Sequence, residues 1–133
     1  MAEGLSPPSL EHLAALAAAR AGVKPGDACM AEVPVILKEL VGTMAAARAD
    51  WHKALALPVP TLTIYLLRTE VAFRPVTEEM CGAAADSGNV AVFRETVALY
   101  DGQITDDWIA SITRGAENLA RVAREVRDAK QQA

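Results

Sequence analysis

Two stretches of the chain space their apolar residues alternately four and three apart. Val33, Leu37, Leu40, Met44, Ala47, Trp51 and Ala54 form one such series, and Trp108, Ile112, Gly115, Leu119, Val122 and Val126 form the other. This spacing keeps returning to one face of an α-helix, and it is the seam spacing of coiled coils. The first series predicts a helix with Pro34 in its first turn, running to about Leu55. Ile36, Val41 and Leu55 widen its stripe, which favours a bundle over an isolated two-stranded coil. The second series predicts a final helix capped by Thr105, with Asp106 and Asp107 in the first turn, where the helix dipole favours acids. Ile104 and Ile109 occupy the two positions of a hydrophobic staple. Glu117 and Arg121 fall at the i, i+4 spacing of a stabilising ion pair.

Weaker patterns fill the rest. "SPPSLEHLAALAAARAG" reads as a first helix, with Ser6 or Ser9 as cap, Pro7 and Pro8 suiting the first turn, and Gly22 ending it. The segment 62–73 is apolar almost throughout and carries β-branched and aromatic residues, so strand and central helix both fit. We read it as a helix, capped by Thr61, with Glu70 and Arg74 at ion-pair spacing. Pro75 stops it. Thr77 then caps a short helix led by Glu78 and Glu79. Val90, Phe93, Val97 and Tyr100 mark another. The expected architecture is all-α: a single domain over 1–133 with about five to six helices, two of them long and amphipathic, and ends fraying at 1–5 and 129–133. Residues 11–22 and 39–50 share a glutamate and the string AAARA, which alanine bias largely explains.

Composition sharpens this. Apolar residues make up 52% of the 133, yet aromatics only 5%, and alanine fills about a fifth of the chain. Alanine favours helix because it loses no side-chain entropy. It also gives thin apolar cover, so the helices must pack closely or recruit a partner. A net charge of −4 argues against nucleic acid, whose phosphates need a basic face. From Thr105 onward five basic residues are balanced by five acidic ones, so the C-terminal run is a solvated helix face and not a basic arm. No apolar run is long enough to cross a membrane, and the first residues lack the basic and apolar regions of a signal peptide, so a cytosolic location is expected. Cys29 and Cys81 stand singly and are expected to be buried free thiols.

Candidate chemistry is sparse. The motifs of nucleotide, zinc-protease and serine-hydrolase sites are absent. "RADWHKAL" (48–55) gathers Arg48, Asp50, Trp51 and His52. On one continuous helix Asp50 and His52 point in different directions, so they make no acid–base dyad. "YDGQITDDW" resembles the second half of an EF-hand calcium loop. The resemblance covers about a dozen residues and implies ligands at positions held here by Val97, Leu99 and Trp108, which offer none of the side-chain oxygens calcium needs. "LLRTEVAFR" sets Arg68 and Glu70 in an apolar setting, where charged groups are candidates for a site.

The expected function is a non-enzymatic interaction or assembly module that oligomerises or docks in a protein complex, with no cofactor and no metal. Its partner is expected to be protein, itself or a complex subunit. Trp51, Met44, Leu40, Trp108, Ile112 and Leu119 are the candidate interface, because the two seams carry the tryptophans that often anchor interfaces. The alternative is a ligand-binding or enzymatic bundle with a pocket between helices, lined by Arg68, Glu70, Arg48 and His52. A helix-turn-helix regulator is a third reading, but no helix carries the basic excess that a recognition helix needs.

Overall fold

The computed structural model describes residues 8–132. Among them the chain is all-α, with eight α-helices and two short 3₁₀ turns, more helices than the sequence pattern predicts. The chain divides into two compact units, Met1–Leu66 and Leu67–Ala133.

The first unit opens with α1 (Leu10–Arg20), whose cap is Ser9: its hydroxyl accepts the His12 amide at 3.1 Å. Pro8 lies ahead of this cap and not in the first turn; Ser6 and Pro7 fall outside the described residues. Gly22, at φ 82°, ends the helix as expected, and the Val23 amide closes back on Ala18 at 3.0 Å. After a 3₁₀ turn at Ala28–Met30 comes α2 (Val35–Ala49), with Pro34 at the cap position and not inside the first turn. α1 and α2 pack on each other.

The predicted helix 34–55 is in fact two. Asp50 adopts an extended conformation (φ −140°), and its carboxylate accepts the His52 amide at 2.9 Å, capping α3 (Trp51–Leu55). An aspartate that satisfies an orphan donor outcompetes one more residue of helix here. Leu55 is therefore reached by a second helix, and Ile36, expected on the buried stripe, is 74% exposed. The ambiguous segment is helical: α4 (Pro60–Thr69) starts at Pro60, one residue ahead of the predicted Thr61 cap. Thr63 is buried and donates to the Ala54 carbonyl at 2.8 Å, satisfying the end of α3.

In the second unit a 3₁₀ turn (Val71–Phe73) precedes α5 (Glu78–Ser87) and α6 (Val90–Leu99). Thr77 caps α5, accepting the Met80 amide at 3.1 Å, and Asn89 caps α6. Phe93, Val97 and Cys81 are fully buried. One parallel β-bridge, Val76 to Tyr100, is the only extended pairing among the described residues.

The predicted final helix is also two: α7 (Asp106–Thr113) and α8 (Glu117–Gln132). Arg114 and Gly115 both take the left-handed conformation (φ 51° and 84°), so Gly115 ends a helix where the pattern had placed it within a seam. The cap Thr105 and the buried pair Ile104 and Ile109 match expectation. Glu117 pairs with Arg124 at 2.7 Å and not with Arg121. α8 extends through 129–132, and the other expected frayed end, 1–5, lies outside the described residues. Lys130 reaches from it to the Tyr100 and Val97 carbonyls (2.6 and 3.0 Å), tying the last turn to the end of α6. Partial burial lowers the pKa of this ammonium, with Asp101 and Cys81 acting in the opposite sense.

Candidate interaction surface

α1 has two apolar sides. Ala15, Leu16 and Ala19 are buried. The opposite side presents Leu10, Leu13, Ala14, Ala17 and Ala21 to solvent, with Leu10 83% exposed. The sequence LEHLAALAAAR leaves only Glu11, His12 and Arg20 polar. A helix that is apolar all round normally lies buried on all sides. Exposed alanine can be explained by helix propensity alone. Exposed Leu10 and Leu13 beside it add larger apolar area to the same side.

The exposed side runs into a groove of about 380 Å³ where α1 meets α2. Leu10, Ala14 and Ala18 form one wall; Met30, Val33 and Leu37 form the other, and Glu11 is the only charged residue lining it among the described residues. Alanines on α1 keep this wall low, which is why a groove exists. Its position is held at both ends. The Ser9 cap fixes the start of α1, and the Arg48 guanidinium donates to the Ala19 carbonyl at 3.0 Å near its end. Pro25 in the intervening loop packs against Gly42, where an added Cβ would lie 3.3 Å from the proline ring.

The predicted interface residues face inward. Met44 is fully buried, Trp51, Ile112 and Leu119 are buried, and Leu40 and Trp108 are half-buried. Trp108 stacks on Tyr100 with ring centroids 4.9 Å apart, and its indole N–H is buried with no hydrogen-bond acceptor among the described residues.

The predicted pocket residues are scattered in role. Arg48 caps α1, as above. His52 is exposed on α3, with its backbone amide bound to Asp50. Arg68 is exposed and forms an ion pair with Glu95 at 2.5 Å; this hydrogen bond and the attached charge raise the arginine's pKa. Glu70 is buried, but α4 ends before it, so the predicted i, i+4 geometry with Arg74 is lost. Cys81 is buried, and desolvation pushes its thiol up to about 12, which makes it a poor nucleophile. Cys29, expected to be buried, is exposed on its 3₁₀ turn. Among the described residues no group of three or more His, Cys, Asp or Glu side chains could hold a metal ion, and no helix is long and apolar enough to cross a membrane.

The α1 surface is built mostly of alanine, which does not stand out at seam spacing beside larger residues. The signal was present: Leu10, Ala14, Ala17 and Ala21 are themselves spaced four, three and four apart. No protein-family model, no curated protein and no solved structure matches this chain.

Proposed function

We propose that the chain is a non-enzymatic helical interaction module of the cytosol, docking through the exposed apolar side of α1 and the groove beside it. The observation that carries this reading is the continuity of that surface. Scattered single apolar residues are normal on any protein, but a contiguous apolar strip edged by few charges is the usual mark of a binding site. Covering a leucine as exposed as Leu10 is worth about 1.5–3 kcal/mol. Docking a helix into such a groove is a common mode of protein recognition. The small side chains of Ala14, Ala17 and Ala18 suit close backbone approach.

The ligand-binding or enzymatic alternative draws less support. Arg48 and Arg68 already hold specific partners within the chain, and His52 lies on an exposed helix face.

The test is site-specific photocrosslinking in cells. A photoreactive residue replacing Ala17 is expected to give one discrete protein adduct, lost when Leu10 is also changed to Gln. The same residue replacing Arg121 on α8 is expected to give none. Equal, diffuse labelling from both positions would contradict the docking reading.

A further inference from the structure

The connection between α6 and α7 is fastened at both ends and free in the middle. At its start the Tyr100 carbonyl accepts Lys130 at 2.6 Å, and the Tyr100 ring stacks on Trp108. At its end Ile104 is buried and Thr105 caps α7. Between them Asp101, Gly102 and Gln103 are exposed and belong to no helix. Among the described residues the Asp101 carboxylate makes no hydrogen bond or close ion pair, and the Gly102 amide donates to no acceptor.

A main-chain amide nitrogen can attack the carboxyl group of an aspartate just before it, closing a five-membered ring. A side chain on the attacking residue obstructs the approach, and a hydrogen bond to the amide or the carboxylate holds the groups apart. Gly102 has no side chain, and neither reacting group is held. The other aspartates are all followed by a residue with a side chain. Asp27 and Asp50 also accept the Lys24 and His52 amides (2.8 and 2.9 Å), while Asp86, Asp106 and Asp128 pair with arginines. Asp107 precedes Trp108, whose amide is bound to the Thr105 hydroxyl at 3.1 Å. The fold also fixes the glycine in place, because an added Cβ at 102 would overlap the Tyr100 ring folded over it. The close approach that demands glycine thus preserves the unobstructed step.

We propose that Asp101–Gly102 is a modification site at which the folded chain rearranges its own backbone, converting Asp101 to isoaspartate through a succinimide. The Gly102 nitrogen bonds to the Asp101 side-chain carboxyl carbon, and the carboxyl hydroxyl leaves with the amide proton as water. Water then adds back to one of the two ring carbonyls. Breaking the new bond restores aspartate. Breaking the original peptide bond leaves the main chain running through the aspartate side chain, with the former main-chain carbonyl as the free carboxylate. No oxidant, reductant or second substrate takes part, and mass and charge are unchanged at the end. The main chain gains one carbon between Tyr100 and Gly102. That displaces the glycine from beneath the Tyr100 ring and loosens the connection into α7.

The experiment ages the purified full chain in warm neutral buffer, with a matched sample aged in denaturant. Peptide mapping with electron-transfer fragmentation distinguishes isoaspartate from aspartate at each position. The folded chain is expected to accumulate isoaspartate at 101 at a rate comparable to that of the unfolded chain, preceded by a species lighter by one water. Asp128, exposed but followed by alanine, is expected to stay unchanged in the folded chain. Asp101→Glu, which could close only a six-membered ring, is expected to abolish the product and keep the helical circular dichroism. Rearrangement at 101 in denaturant alone would show that the fold blocks the step and would overturn the proposal. Equal accumulation at Asp128 in the folded chain would overturn it as well, since the connection would then hold no special site.

Discussion

α1 and α8 are both helices with one buried face, and they differ in what covers the other. On α8 the buried face is Leu119, Ala120, Val122, Ala123 and Val126. Its outer face carries Glu117, Arg121, Glu125 and Asp128, and charges on this helix pair with neighbours: Arg127 with Asp106 at 2.6 Å, and Glu125 with Arg94 at 3.1 Å. Water is an adequate partner for that face. On α1 the outer face is leucine and alanine. The contrast teaches that helices with the clearest seams in the sequence largely bury those seams within the chain, whereas a helix without a clear seam can keep apolar residues on its outer side.

Substitutions can sharpen this contrast. The largest effect is expected on the inner side of α1. Leu16→Ala, at a residue 1% exposed, should destabilise the chain by about 2–5 kcal/mol in denaturant unfolding. Leu10→Ala on the outer side of the same helix should change monomer stability by no more than about 0.5 kcal/mol, while weakening association. Similar losses from both would mean that the outer side is part of the core.

The break at Asp50 comes next. Asp50→Ala removes the α3 cap and should cost about 1 kcal/mol. A null result would restore the continuous helix that the 4-3 pattern predicts.

The contact between α7 and α8 should show an acid dependence. The hydrogen bond and charge of Arg127 hold the Asp106 carboxyl below its ordinary pKa. A depressed folded-state pKa stabilises the fold above the unfolded value, and that stability is lost as pH falls through the folded value. The stability advantage of the parent over Asp106→Asn should therefore be full at neutral pH and shrink as pH drops through and below the ordinary aspartate range. Thermal unfolding against pH measures it, and the effect should be small because the pair is solvent-exposed.

A further modest effect concerns the α7–α8 break. Arg114→Gly removes the left-handed strain of a non-glycine residue at the cost of a freer unfolded chain, for a net gain of about 0.5–1 kcal/mol. A loss would show that the contact of Arg114 with Asp86, 3.8 Å at best, matters more than its backbone.

Much of the local structure was legible from sequence. The caps Thr77 and Thr105, the Gly22 stop and the Ile104–Ile109 pair required only neighbouring residues, and they stand as predicted. The two long helices did not, because hydrophobic spacing is blind to a cap. Asp50 and Gly115 each sit at a position where periodicity tolerates continuation, but local backbone chemistry ends the helix. The order of burial was harder still. Ile36 and Trp51 lie in the same stretch and look alike to a pattern, yet Ile36 is exposed and Trp51 is buried, since only packing decides which edge of a wide stripe is covered. The α1 surface was hidden for a related reason: alanine reads as helix former first and contact residue second.

The most direct test of the account compares two thiols. In a Cys29→Ser background, Ala17→Cys on α1 and Arg121→Cys on α8 each place one exposed thiol on an outer helix face, while Cys81 stays buried. Alkylation rates are measured on the purified chain and in intact cells. The account predicts that the thiol at position 17 is protected in the cell relative to the purified chain, while the thiol at position 121 reacts alike in both. Equal rates at both positions in the cell and in the purified chain would contradict it.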